Sequence, residues 1–219
     1  HEEHAAVVAE AVGERAVVAV SGRPGILPVA EIDCAVGKKY TALSVHKAMM
    51  RAGQPSRFRA TGQTGIMISG EGIPIDAVVS DFVSGAAELL SPDTPEDHWS
   101  VIEGQGSLFH PGYASVTLGL LHGSQPDAFV VCHNPMQTHL GEWPDYPVPT
   151  ITECIEHTLM SGKLTNPNIR CVGVSINTSQ MNKQDKLPYL AKVTAETGLP
   201  CVDPILQGAE PIIEGLLNG

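Results

Sequence analysis

The sequence predicts an α/β fold, a mostly parallel sheet with helices on both faces, and three observations predict it. From residue 26 onward, short apolar runs alternate with amphipathic stretches, the rhythm of strands joined by crossover helices. Several runs, such as Ala128-Phe129-Val130-Val131-Cys132, are apolar without alternation, which suits strands covered on both sides. Finally, Asp33-Cys34-Ala35-Val36-Gly37-Lys38 sits between a strand-like run (26–32) and a helix-like run (41–50). Strand, tight Gly-Lys loop and helix together hold phosphate, because loop N–H groups and the helix N-terminus face the anion. The expected architecture is therefore a P-loop NTPase-like three-layer domain.

The elements follow in order. Residues 1–25 read as an N-terminal remnant or linker region, and 26–219 as the P-loop-like domain. Ala5 to Val12 reads as a helix stopped by Gly13, Val17-Val18-Ala19-Val20 as a short strand, and Ser21-Gly22-Arg23-Pro24-Gly25 as a turn. The chain opens on His1 rather than methionine, so it reads as a processed product or a fragment of something longer. Strands are expected at 26–32, 56–60, 99–103, 127–132, 169–176 and 200–203. Helices are expected at 38–52, 76–90, 115–121, 151–161, 184–197 and 210–217. Residues 76–83 admit a strand, but the apolar positions continue through Ala86, Ala87, Leu89 and Leu90, which favours one helix. Pro135, Pro144, Pro147 and Pro149 mark 133–150 as loop-rich.

At 219 residues and 42% hydrophobic content, the chain can build a full core. Its formal net charge of −11 opposes a nucleic-acid partner or an anionic membrane surface. No apolar run approaches the roughly 20 residues needed to span a bilayer, and no signal peptide opens the chain. A cytoplasmic location and a small-molecule ligand follow, with a homo-oligomer expected. The five cysteines (Cys34, Cys132, Cys154, Cys171, Cys201) are dispersed, with no CxxC pair, and the nine histidines show no HxH or HxxxH spacing. Buried reduced thiols and no structural metal are the expectation.

The phosphate loop departs from the strict pattern. Ile32 stands where that pattern has its first glycine, and Lys39 and Tyr40 separate Lys38 from Thr41. Without a hydroxyl directly after the lysine, Mg²⁺-dependent phosphoryl transfer loses one recurrent part, whereas phosphate anchoring does not. Ligands of parallel sheets sit at the C-terminal strand ends. Four polar loops fall there: Ala60 to Gly65, Glu103 to Pro111, His133-Asn134-Pro135, and Ser175 to Ser179.

Glu103 closes an apolar run, where an acid reaches a metal or a reacting group, and Gly104-Gln105-Gly106 lets backbone approach a ligand. Arg57 and Arg59 share one face of their strand. Arg59, nearer Gly62-Gln63-Thr64-Gly65, suits a carboxylate or phosphate. His110 and His133 have the chemistry of acid–base groups, although a structural histidine is the commoner outcome. Cys34 lies where positive potential favours a thiolate, but small-residue packing explains it without a companion histidine.

Four blocks carry a resemblance: Asp33 to Leu43, Arg59 to Ile66, Ile102 to Pro111, and Gly119 to Asp127. In that order they resemble the D-glutamate N-acetyltransferase family, long catalogued as a P-loop-containing family of unknown function. The resemblance runs from about residue 26 to the C-terminus. It implies acetyl transfer from acetyl-CoA to the amine of D-glutamate or a related D-amino acid, and a Rossmann-like domain preceding this one. The family has Gly-Thr where this chain has Glu31-Ile32, which puts a carboxylate beside the phosphate site.

Carried onto this sequence, the resemblance assigns Asp33, Cys34, Ala35, Val36, Gly37, Lys38, Lys39, Tyr40 and Thr41 to the coenzyme phosphates. Glu103 becomes the base, Gln105 or Ser107 the polar positioning group, and His110 a further catalytic candidate. Arg59, Gln63 and Thr64 fall to the amino-acid substrate. Direct attack by the amine is expected rather than a Cys34 acyl-enzyme. The loop is also similar to that of dethiobiotin synthetase. The alternatives are therefore an ATP-dependent enzyme, the one case that calls for Mg²⁺, and a non-catalytic nucleotide- or CoA-binding module.

Overall fold

The computed structural model describes residues 26–31, 37–95, 97–141 and 143–218. The expected helix at 5–12, the strand at 17–20, and Asp33, Cys34, Ala35 and Val36 lie outside the described residues. Six parallel strands form the main sheet: β1 (Ile26–Glu31), β2 (Ser56–Arg59), β3 (Trp99–Ile102), β4 (Ala128–His133), β7 (Arg170–Ile176) and β8 (Cys201–Val202). Their order is β2-β3-β1-β4-β7-β8. β1 pairs with β3 on one side and β4 on the other, Pro28 opposite Ile102 and Glu31 opposite Cys132. The connection direction reverses at β1, so the crevice above its C-terminal end is the topological switch point where ligands of such sheets bind.

Helices cover both faces. On one, Ala42, Val45, Ala48 and Met49 of α1 (Lys38–Arg51) meet Val130, Cys132 and the Ile212, Ile213 and Leu216 side chains of α7 (Glu210–Asn218). On the other, Phe129 and Val131 pack beneath Cys154 of α5 (Ile151–Gly162). Val174 and Ile176 pack beneath Leu190 and Val193 of α6 (Lys183–Thr197). Consecutive β4 residues thus enter opposite cores, which is why that strand reads as continuously apolar. Burial of one such side chain is worth about 1.5–3 kcal/mol.

Local signals set the helix ends. Thr150 caps α5 reciprocally: its hydroxyl accepts from the Glu153 N–H at 3.2 Å, and Glu153 accepts from the Thr150 N–H at 2.8 Å. α4 (Ala114–Ser124) extends three residues beyond the expected 121 before Gln125 turns left-handed.

Two expectations need correction. The single helix over 76–90 is two 3₁₀ turns, Ile75–Ala77 and Ser80–Phe82, followed by α3 (Val83–Leu90). Val78 and Val79 between the turns are extended, as β-branched residues favour. Their apolar run shares no single buried face. Val79 and Phe82 are exposed, whereas Val83, Ala87 and Leu90 go inward. Second, the polar stretch after β2 is not a loop throughout, because Gln63–Ser69 forms α2. The loop-rich zone holds a small antiparallel hairpin, β5 (His139–Leu140) and β6 (Trp143–Pro147).

Candidate active site

Glu103 is the centre of the site. It follows β3, is 2% exposed, and its Oε2 accepts from the backbone N–H groups of Thr61 and Gly62, each at 3.1 Å. Those donors belong to the turn that enters α2, so the carboxylate sits where the helix dipole favours negative charge. Thr61 is itself fully buried and returns its hydroxyl to the Glu103 carbonyl. Oε1 accepts no hydrogen bond from a described residue. Burial pushes the Glu103 carboxyl up from its ordinary value, and the Gly62 and Thr61 N–H groups, then Lys39 and Lys38, pull it back.

Glycine makes this approach possible. A Cβ on Gly65 would lie 1.9 Å from Glu103 Oε2, so helix α2 can rest on the carboxylate only with no side chain there. Gly106, with φ +71°, meets a second limit, since a Cβ would fall 2.6 Å from Thr117 Oγ1. That hydroxyl donates to the Gln105 carbonyl at 2.8 Å and fixes the 103–107 loop to α4. Gln105 is equally buried and donates to Thr61 Oγ1 at 3.3 Å.

The phosphate loop reaches the same place. Lys38 is buried at the start of α1, and its Nζ donates to the Gly106 carbonyl at 3.4 Å. Gly37 takes φ +107° at the N-cap of α1, with no side-chain cap and no acidic residue in the first turn, which leaves that helix end suited to an anion. Thr41 turns inward instead. Its hydroxyl donates to Gly37 O at 3.1 Å, lies 2.7 Å from Ser175 Oγ and accepts from the Cys132 thiol.

The other expected residues divide. Ser107 is buried in the loop, and its Oγ accepts from the Phe109 N–H at 3.2 Å. His110 is buried against the Tyr113 ring, centroids 4.5 Å apart, and edge-on to Trp143 of the hairpin. Its Nδ1 accepts from the Gly112 N–H at 3.1 Å, which puts the proton of the neutral ring on Nε2. Lys39 is half-buried, its Nζ 5.6 Å from the Tyr40 ring, and Tyr40 is exposed. Gln63 is exposed and Thr64 half-buried in the first turn of α2.

Arg57 spends its charge on a surface pair with Glu71. Arg59 differs. It is half-buried at the end of β2, and its buried Nε has no hydrogen-bond partner among the described residues. Burial, then the Arg57 charge, disfavours its charged form, and Glu71 partly offsets this. A carboxylate there would relieve both penalties. The described cysteines behave as packing. Cys132, Cys154 and Cys201 are buried, and burial pushes the Cys201 thiol up to about 12.

Thr61 and Thr117, which hold Glu103 and Gln105 in place, were not singled out from sequence. Thr61 at least lies inside a recognised block, whereas no sequence signal marks Thr117.

A family model described as a domain of unknown function (DUF1611_C), P-loop domain, matches residues 26–213. A D-glutamate N-acetyltransferase from Tritonibacter scottomollicae is 47% identical over 184 residues, covering 84% of this chain and 55% of that protein. One from a Pseudoalteromonas species is 50% identical with the same coverage. A DUF1611 family protein from Anabaena variabilis, known from a crystal structure, superposes with a TM-score of 0.80 at 36% identity, covering 88% of this chain and 57% of that one. The chain spans about half the length of the curated relatives it matches.

Proposed function

The chain belongs to the DUF1611 family, and on that premise we propose that it is the coenzyme-holding part of an N-acetyltransferase. The acetyl group would move from acetyl-CoA to the amine of D-glutamate or a related D-amino acid. The observation that carries this is the 47–50% identity to two proteins bearing that activity in their names, extending over the loops that build the site.

The residues present fit a CoA phosphate. Gly37 and the α1 N-terminus offer backbone donors, and Lys38 adds a full charge close by. Thr41, turned into the core, is poorly placed to hold Mg²⁺, so the loop suits anchoring better than phosphoryl transfer. Bound acetyl-CoA supplies a thioester whose carbonyl accepts the amine.

The acceptor enters as an ammonium ion and must lose a proton before it can attack. Glu103 Oε1 is the oxygen left to take that proton, and burial makes the carboxylate a better base than in water. Thr61 and Gly62 hold the other oxygen, so the base keeps its orientation through the step. The Gln105 amide and the Ser107 hydroxyl are the polar groups nearest in sequence that can position the thioester carbonyl. Arg59 takes a substrate carboxylate.

The test is incubation of the full-length protein with acetyl-CoA and D-glutamate, and separately with ATP. Thiol release that depends on D-glutamate supports the proposal. Phosphate release from ATP in place of thiol release replaces it with the ligase-like alternative. Binding without turnover leaves a regulatory module. A burst of free CoA without amine would reinstate a covalent route.

A further inference from the structure

Glu103, Gln105, Ser107 and Arg59 lie on one side of β1, toward β3 and β2. The other side of the switch point, at the ends of β4 and β7, holds a side chain that no step above uses. His133 closes β4, one residue past the Glu31–Cys132 pairing that joins β4 to β1. Its carbonyl accepts from the Asn177 N–H at 2.8 Å. Asn177 in turn sits against the phosphate loop, its Cβ 3.9 Å from where Gly37 would carry one. The end of β4 thereby lies one residue away from Gly37 in space.

The half-buried His133 ring is out of balance with its surroundings. Nδ1 is buried and has no hydrogen-bond partner among the described residues. A buried polar atom left unpaired is costly, and proteins retain such atoms where a ligand or water completes them. Burial also pushes the ring down to about 4, so it is neutral at physiological pH. A neutral imidazole offers one donor and one acceptor and no charge. That pairing suits the edge of a heteroaromatic base or a ribose hydroxyl better than a second phosphate, which would call for a lysine or arginine.

We propose that His133 contacts the nucleoside part of the ligand whose phosphates lie at Gly37 and Lys38. The ligand then straddles β1, with its nucleoside toward β4 and β7 and its reacting end toward Glu103. This inference rests on the phosphate-anchoring half of the proposed function and not on acetyl transfer. CoA and ATP both carry a nucleoside beside a diphosphate, so the shared chemistry is an adenosine diphosphate.

The experiment is titration calorimetry on full-length wild-type, His133→Phe and His133→Gln proteins. The ligands are CoA and ADP, which carry a nucleoside, and 4′-phosphopantetheine and inorganic pyrophosphate, which do not. His133→Phe should weaken CoA and ADP roughly tenfold, the worth of about one hydrogen bond, and leave 4′-phosphopantetheine within about twofold. His133→Gln keeps a neutral donor and acceptor and should recover part of the loss. Equal weakening of all ligands, no weakening of any, or wild-type protein holding 4′-phosphopantetheine as tightly as CoA overturns the assignment. If wild-type protein binds ADP but not CoA, the acetyl-donor proposal falls and the ADP series alone decides on His133. Failure of all four ligands to bind wild-type protein overturns both.

Discussion

Replacing Gly65 with alanine tests whether Glu103 is held as described. Alanine is the better helix former by about 1 kcal/mol, so a helix with space around it should gain. At Gly65 the new methyl would fall 1.9 Å from Glu103 Oε2, and the carboxylate or helix α2 must move. Either movement breaks the two N–H bonds from Thr61 and Gly62. Hydrogen bonds to a charged group are worth about 1.5–3 kcal/mol each, a loss of roughly 3–6 kcal/mol against the gain of about 1. The net expectation is a destabilisation of about 2–5 kcal/mol, or some 5–15 °C in Tm for a chain of this size. Gly85→Ala in α3 is the matched control, because nothing lies within 4 Å of its added methyl. That variant should gain about 0.5–1 kcal/mol. Thermal and urea unfolding of the two variants side by side is the assay. If Gly65→Ala unfolds at or above the wild-type midpoint, Glu103 is not clamped by the turn into α2.

Three further outcomes follow from the same geometry. Glu103→Gln keeps an oxygen for the Thr61 and Gly62 donors while removing the buried charge. Because burial raises the folded pKa, the carboxyl's stability contribution is present at low pH and lost as pH rises through that pKa. The variant should therefore be at least as stable as wild type at pH 7, with the difference shrinking as pH falls, yet slower in the proposed acetyl transfer by about 10²–10⁴. A rate within fivefold of wild type removes Glu103 as the base. Lys38→Met should weaken CoA about 10–100-fold by calorimetry, the loss of one charged hydrogen bond, and unchanged affinity would place the phosphates elsewhere. His133, depressed from 6.5 to about 4, contributes stability above pH 6.5 that is lost as pH falls toward 4. The ceiling is about 3 kcal/mol, less for a half-buried ring. Denaturant midpoints measured across that window should show the step in wild type and lack it in His133→Phe.

Strand β4 was legible because it sits in two cores at once. Val130 and Val131 face opposite helices, so β4 had to be apolar throughout. The short helix α2 was missed for a physical reason. It is seven residues long with two glycines at its ends, and it is held by Glu103 from another strand rather than by its own propensity. The broken helix before α3 was misread because exposed Val79 and Phe82 mimic a continuous apolar stripe. Within the site, the loop Glu103 to His110 stood out through its glycines and polar groups. Thr117 did not, since a threonine on a helix declares nothing until its hydroxyl is seen on the Gln105 carbonyl.

The displaced threonine of the phosphate loop sets phosphate anchoring apart from metal binding. A hydroxyl directly after the lysine would lie at the first turn of α1, where it can meet a metal. Three positions on, Thr41 falls on the face of α1 that packs against the sheet. There its hydroxyl bonds Gly37 O and Ser175 and so ties the phosphate loop to β7. Lys38, at the helix start, keeps its ammonium by Gly106 and the Glu103 loop. One substitution pattern therefore separates the loop's two usual jobs. The lysine available to a phosphate is retained, and the hydroxyl has become a rivet in the core. A loop so built fits the proposed role, in which a phosphate is anchored here and the reacting end of the ligand lies beside Glu103.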